Sequence, residues 1–149
     1  MIAPTVEVGF TVKRLVPANP NNDRGKRTWE WKLPDGRQIT IYRRRKGEKF
    51  AAHFHKGEDP TKNPERFVLL EGRMWMDFED VDGNRKETVL DAKKGKKPPE
   101  LTVEAGVLHT AIALTNCLYI EYRRQYFDPG NPDTYPAEAF TAFAQAARL

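Results

Sequence analysis

Cysteine is almost absent from this 149-residue chain: Cys117 stands alone. A single thiol excludes an internal disulfide framework and a cysteine-based zinc site, and fits a reducing, cytoplasmic setting. Long apolar runs are missing too. None approaches the ~20 residues that cross a bilayer, and the opening MIAPTVEVGF lacks the charged region and apolar core of a secretory signal. Membrane partners are therefore not expected. No strand leads through a G-x-G-x-x-G turn into a helix, which excludes a dinucleotide fold. Internal repeats, low-complexity stretches and interdomain linkers are also lacking, so one domain over residues 1–149 is expected.

An excess of charge of one sign is likewise small. Lys and Arg number 25 against 21 Asp and Glu, for a net +4. The basic residues gather in Arg24-Gly25-Lys26-Arg27, Arg43-Arg44-Arg45-Lys46 and Lys93-Lys94-Gly95-Lys96-Lys97. They lack the interleaved aromatics and reading motif of a nucleic-acid module, so nucleic acid is not an expected partner. At strand ends and in a loop such runs are ordinarily solvated. Their functional alternative is a basic rim attracting an anionic small molecule, such as a phosphorylated metabolite.

What the sequence does have is strand after strand, rich in β-branched and aromatic residues. Thr28 to Leu33 and Gln38 to Arg44 flank Pro34-Asp35-Gly36-Arg37, where proline presets one turn dihedral and glycine permits the positive one, predicting a hairpin. Further strands are expected at Phe50 to His55, Arg66 to Asp77 (a long strand pair or one bent strand, broken near Gly72), Lys86 to Leu90, Leu101 to Glu104, Leu108 to Leu114 and Cys117 to Tyr122. Met74, Met76 and Phe78 share one strand face with Trp75 on the other, a lining pattern. Short strands at this spacing predict a sandwich or barrel. The first 25 residues read as an arm and loop. Pro136 to Leu149 predicts one helix with Phe140, Phe143, Ala144 and Ala147 along a packing face.

Histidine is scarce, and its placement is informative. His53 and His55 lie two apart in a predicted strand, so both side chains leave one face of the sheet. His109 opens another strand after Gly106-Val107-Leu108, and Glu65 begins the strand after an intervening loop. Imidazole ligates metal through a neutral nitrogen, and ligands on rigid strands lose little entropy on binding. All three histidines and one carboxylate thus fall into a single scheme for a divalent cation.

These residues carry a resemblance to the cupin superfamily. Gly47 is followed by five residues and His53-Phe54-His55; Glu65 is followed by six residues and Gly72; and Gly106 with His109 matches the second cupin motif. The resemblance implies an all-β cupin β-barrel of the jelly-roll type, its core over about 27–127, with an N-terminal arm and a C-terminal helix over about 136–149. It also implies one divalent metal ion, held by His53, His55, Glu65 and His109, in what is expected to be a homodimer. The stretch KGEDPTKNP between His55 and Glu65 is longer than the commonest motif, which leaves Glu58 or Asp59 as the alternative carboxylate. Nitrogen and oxygen ligands suit zinc, iron, manganese or nickel and disfavour calcium.

Beyond the second motif, Tyr126-Phe127-Asp128-Pro129-Gly130-Asn131-Pro132-Asp133-Thr134-Tyr135 is similar to the closing segment of the cupin domain in bacterial capsular-polysaccharide enzymes that process UDP-linked deoxysugars. The alternative for this tail is packing, its Asp, Pro and Gly shaping the turn into the terminal helix. The likeness implies an isomerase or epimerase acting on a sugar nucleotide or similar polar carbonyl compound. Such a reaction needs a base for a carbon-bound proton, an acid and stabilisation of the enolate. Histidines occupied by metal cannot serve as bases, leaving Glu104, Tyr119 and Glu121 as candidate catalytic residues. Two other readings accompany it: a metal-dependent dioxygenase, and a non-catalytic barrel that binds or senses a small ligand.

Overall fold

In the computed structural model, which describes residues 8–149, one long strand organises the rest. The strands are β1 (Thr28–Lys32), β2 (Gln38–Arg44), β3 (Lys49–Phe54), β4 (Glu65–Glu79), β5 (Arg85–Ala92), β6 (Glu100–Val103), β7 (Leu108–Ala113), β8 (Cys117–Arg123) and β9 (Tyr135–Pro136). The first half of β4 pairs with β6 and β8, and the second half with β5 and β7, all antiparallel. Two curled sheets result, β1-β2-β8-β4-β6 and β9-β3-β7-β4-β5, joined through β4 into a half-barrel.

Gly72 makes that sharing feasible. Its φ of +93° is closed to most side chains, and an added Cβ would collide with the carbonyl of Asn116 and lie 3.0 Å from Cys117 Sγ. Of the two readings of this stretch, a strand pair or one bent strand, the structure has the bent strand. The predicted hairpin is present, with Gly36 at φ +94° and Asp35 Oδ1 accepting the Arg37 N–H at 3.1 Å.

Alternation along the strands fills the space between the sheets. Leu69, Met74, Met76, Ala111, Ala113, Cys117 and Tyr119 form the main core with Phe50; each large aliphatic side chain buried there contributes about 1.5–3 kcal/mol. On β8 the inward residues run Cys117, Tyr119, Glu121, Arg123, changing from apolar to charged along one face. The inner row of β2 is polar from the start: Gln38, Thr40 and Arg44 are all buried. The inner face thus grades from apolar to charged along β8, while β2 keeps a buried cation, Arg44, opposite Cys117 at the apolar end.

Two expectations are corrected in detail. The arm contains a helical turn, α1 (Asp23–Lys26), capped by Asn22 Oδ1, which accepts the Arg24 and Gly25 N–H groups. The terminal helix is shorter than 136–149: Tyr135–Pro136 instead pairs with His53–Phe54 as β9, Ala137–Ala139 is one 3-10 turn, and α2 spans Phe140–Ala147. Phe140 and Ala144 of α2 are buried, and the Phe140 and Phe143 rings lie 5.2 and 4.9 Å from that of Phe54 on the outer face of β3.

Candidate metal centre

A bulge in β3 sets up the site. Strand periodicity would place Phe50 and His53, three residues apart, on opposite faces. Ala51 takes a positive φ of 65°, the register against β7 shifts between Phe50 and His53, and both side chains reach the same interior cavity. Beyond the shift His53 pairs directly with His109 of β7, their imidazole centroids 4.7 Å apart. His55 follows the end of β3, its ring 4.8 Å from that of His53. Glu65 opens β4. The candidate ligand atoms of His53, His55, Glu65 and His109 all lie within 4.8 Å of one another.

Hydrogen bonds fix how the imidazoles face. Nδ1 of His55 lies 2.6 Å from the Asp133 carbonyl, and Nδ1 of His109 lies 2.9 Å from the Val107 carbonyl. A carbonyl can only accept, so each Nδ1 carries the proton and each Nε2 of a neutral ring presents a lone pair. The His55 Nε2 faces Glu65 Oε2 at 2.7 Å, and the His109 Nε2 lies 3.5 Å from the same oxygen. His53 Nε2 is buried with no hydrogen-bond partner. Several acceptor atoms thus converge in a buried space, a donor set suited to a divalent cation.

The surrounding electrostatics agree. Burial, reinforced by the neighbouring imidazoles of His109 and His55, lowers His53 to about 3 and keeps it neutral. Burial alone would raise Glu65, but the close His109 and His55 rings and the nearby Lys62 ammonium hold it well below the usual carboxylate range. Lys62 Nζ donates to Glu65 Oε1 at 3.1 Å.

The remaining candidates separate clearly. Tyr119 and Glu121 are buried and line the cavity of about 190 Å³ that also receives His53 and Glu65. Burial, helped by the nearby Glu65 charge, raises Glu121 to about 7 despite Lys62 at 3.8 Å and Arg123 at 3.4 Å. Burial also raises the Tyr119 phenol, so it stays protonated. Glu104 is exposed just after β6 and is not part of the cavity wall. Asp59 is spent elsewhere, on Arg123 at 2.6 Å, and Glu58 accepts the Tyr135 hydroxyl at 2.7 Å; neither joins the cluster.

Sequence reasoning overlooked three contributors. Asp133, at φ 44°, orients His55 through its carbonyl while its carboxylate accepts N–H bonds from Lys56, Gly57 and Asp59. Its place in the Asp/Pro/Gly-rich tail was the available signal. Lys62 lies in the loop before Glu65, where no motif marks it. Arg44, read as part of a solvated basic run, is buried at 9% exposure and reaches the cavity.

No protein-family model and no curated protein sequence matches the chain. Solved structures do. CapF, the capsular polysaccharide assembling protein of Staphylococcus aureus, aligns with a TM-score of 0.66 at 24% identity, over 84% of this chain and 33% of that one. CapF with the inhibitor 3-isopropenyl-tropolone aligns at 0.59 and 24%, over 73% and 31%. The oxalate decarboxylase of Lactobacillus farciminis, in a formate complex, aligns at 0.57 and 18%, over 82% and 36%. The chain thus spans about a third of the length of the CapF and oxalate decarboxylase chains it matches. Its two β4-linked sheets, terminal helix and these likenesses identify the fold: this chain has the cupin fold and is similar in structure to CapF.

Proposed function

We propose that this chain is a metal-dependent isomerase or epimerase that moves a proton beside the carbonyl of a sugar nucleotide or similar polar compound. The observation that carries this reading is one shared cavity: His53 and Glu65 of the imidazole–carboxylate cluster line the same space as the buried carboxyl of Glu121. A divalent ion held by His53, His55, Glu65 and His109 would supply Lewis acidity toward a carbonyl oxygen. Glu121 takes the proton from the adjacent carbon as general base, the Tyr119 phenol gives a proton to the opposite face of the enolate so that the carbon inverts, and exchange with solvent resets both groups. Lys62 and Arg123 beside it restrain its orientation, and the protonated Tyr119 hydroxyl is available as a hydrogen-bond donor. The apolar walls, among them Leu69, Met74 and Met76, limit water at the reacting carbon.

CapF is described as assembling capsular polysaccharide, which supports a sugar-linked substrate here. We read residues 1–149 as one cupin domain. The free, buried Cys117 supports a cytoplasmic setting, and the exposed apolar residues of the arm support a homodimer. No helix of the described residues is long and apolar enough to cross a membrane.

The test is solvent deuterium uptake into a panel of UDP-4-keto sugars by protein loaded with zinc, manganese, iron or nickel. Uptake is expected, and Glu121→Gln is expected to lower it about 100-fold or more while metal content stays unchanged. No uptake from any sugar with metal fully bound would discard the reading. Oxygen consumption by the iron-loaded protein would redirect it toward dioxygenation.

A further inference from the structure

Arg44 is the residue of the cavity that the chemistry above leaves unexplained. It ends the inner row of β2, is 9% exposed and lines the same cavity as His53, Glu65 and Glu121. Its guanidinium carbon sits 5.1, 5.5 and 5.9 Å from the ring centroids of Tyr42, Phe50 and Tyr119. Tyr42 and Tyr119 are stacked on each other, with centroids 4.7 Å apart, so this aromatic frame is rigid. One guanidinium nitrogen, Nη1, donates to the Arg43 carbonyl at 3.2 Å, whereas Nε is buried without a partner. No carboxylate among the described residues forms an ion pair with Arg44 within 4.0 Å.

That is an uncommon state for a cation. Buried charges are ordinarily paired, because desolvation costs more than ring faces return. The other basic groups nearby are already compensated: Lys62 by Glu65 and Glu121, Arg123 by Asp59 and Glu121, and Arg24 by Glu48 at 3.5 Å. A lone fork-shaped cation, held by aromatic rings in the wall of the cavity that receives His53 and Glu65, lacks one thing: an anion supplied from outside.

We propose that Arg44 is the docking residue for a carboxylate carried by the ligand, so that the compound bound in the cavity is a small carbonyl compound bearing a carboxylate. This narrows the functional reading above from sugar nucleotides to smaller polar carbonyl compounds, and rests on it only for the location of the reacting centre. Two observations select carboxylate over phosphate. One uncompensated positive charge matches the single charge of a carboxylate, whereas a phosphate monoester carries about two near neutral pH. The cavity is also small, about 190 Å³, with largely apolar walls.

The experiment is calorimetric titration of acetate, pyruvate, malonate and inorganic phosphate into the full-length protein, once stripped of metal with a chelator and once loaded with zinc. Arg44→Gln and Arg44→Lys are compared with wild type. Carboxylate binding is expected in both metal states, weakened about tenfold or more by Arg44→Gln and less by Arg44→Lys, which keeps the charge but loses the fork. Zinc stoichiometry and the circular dichroism spectrum are expected to be unchanged. Should Arg44→Gln misfold, the Arg44→Lys loss alone decides the matter. Equal carboxylate binding by wild type and the folded variants would overturn the proposal, as would phosphate binding in preference to every carboxylate, or no carboxylate binding at all. Arg44-dependent binding in a protein that takes up no metal would uphold the docking residue while removing the metal-dependent reaction. Metal-dependent binding indifferent to Arg44 would do the reverse.

Discussion

At the scale of single residues, the charged groups of the interior depend on one another. Asp59 and Arg123 are 2% and 3% exposed and meet at 2.6 Å. Burial would raise the Asp59 carboxyl, but hydrogen bonds from Thr61 and the Arg123 guanidinium hold it below its ordinary value. A depressed carboxyl stabilises the fold fully above its unfolded pKa of about 4, and that contribution is lost as pH falls through the folded value. Asp59→Asn leaves Arg123 buried beside a neutral partner and is expected to cost about 3 kcal/mol at pH 7. Urea unfolding of both proteins at pH 7 and pH 3 checks this, and the difference is expected to shrink at the lower pH. An equal difference at both values would show that the ion pair is not its source.

Single residues also mark where sequence reading ended. The histidines and Glu65 were legible because their types are rare or placed at fixed motif intervals, and the structure brings all four together. Asp133 was not legible as a clamp, since its partners lie 74–78 positions away and no local pattern encodes such a distance. Arg44 was misread because a run of four basic residues looks solvated. Strand alternation turns Arg44 inward while Arg43 and Arg45 stay outside.

At the scale of elements, the strands were largely legible from β-branched and aromatic runs between turn residues, to within one or two positions at most ends. The β3 bulge was not, because Phe50-Ala51-Ala52-His53 contains no glycine to announce a positive φ. The terminal helix was overextended for a related reason: proline suits the first helical turn, but Pro136 takes an extended conformation with ψ 156° and completes β9. Gly72 was legible as the point where a long strand pair or one bent strand is interrupted, and it is the bend of a single strand. Gly72→Ala combines a left-handed backbone with collision against the β7–β8 turn and is expected to destabilise by roughly 2–4 kcal/mol. Thermal unfolding measures this. A loss under about 0.5 kcal/mol, the usual range for a surface substitution, would mean that β4 bends without needing a glycine there.

At the scale of the whole molecule, apolar surface is concentrated on the arm. Val8, Phe10, Val12 and Val16 are 74–80% exposed, and the first three alternate as strand residues do. Such a segment suits addition to the sheet edge of a second copy. Removing residues 1–16 is expected to change the species seen by light scattering from two chains to one. An unchanged mass would place the contact between copies elsewhere or show that none exists. Charge says less at this scale: the net +4 is spread over strand ends and loops, much of it neutralised locally, as by the Asp23, Arg27 and Glu48 group.

Because β4 belongs to both sheets, neither half can slip past the other without tearing a covalent chain at its centre. Glu65 stands at one end of that strand, while His109 faces Phe78 near the other. Their ligand atoms nevertheless lie within 4.8 Å of one another, so the bend at Gly72 folds the two halves of β4 together to bring the carboxylate to the imidazoles. Opening the half-barrel about that bend would draw Glu65 away from the histidines, which makes the cluster a clasp between the two sheets.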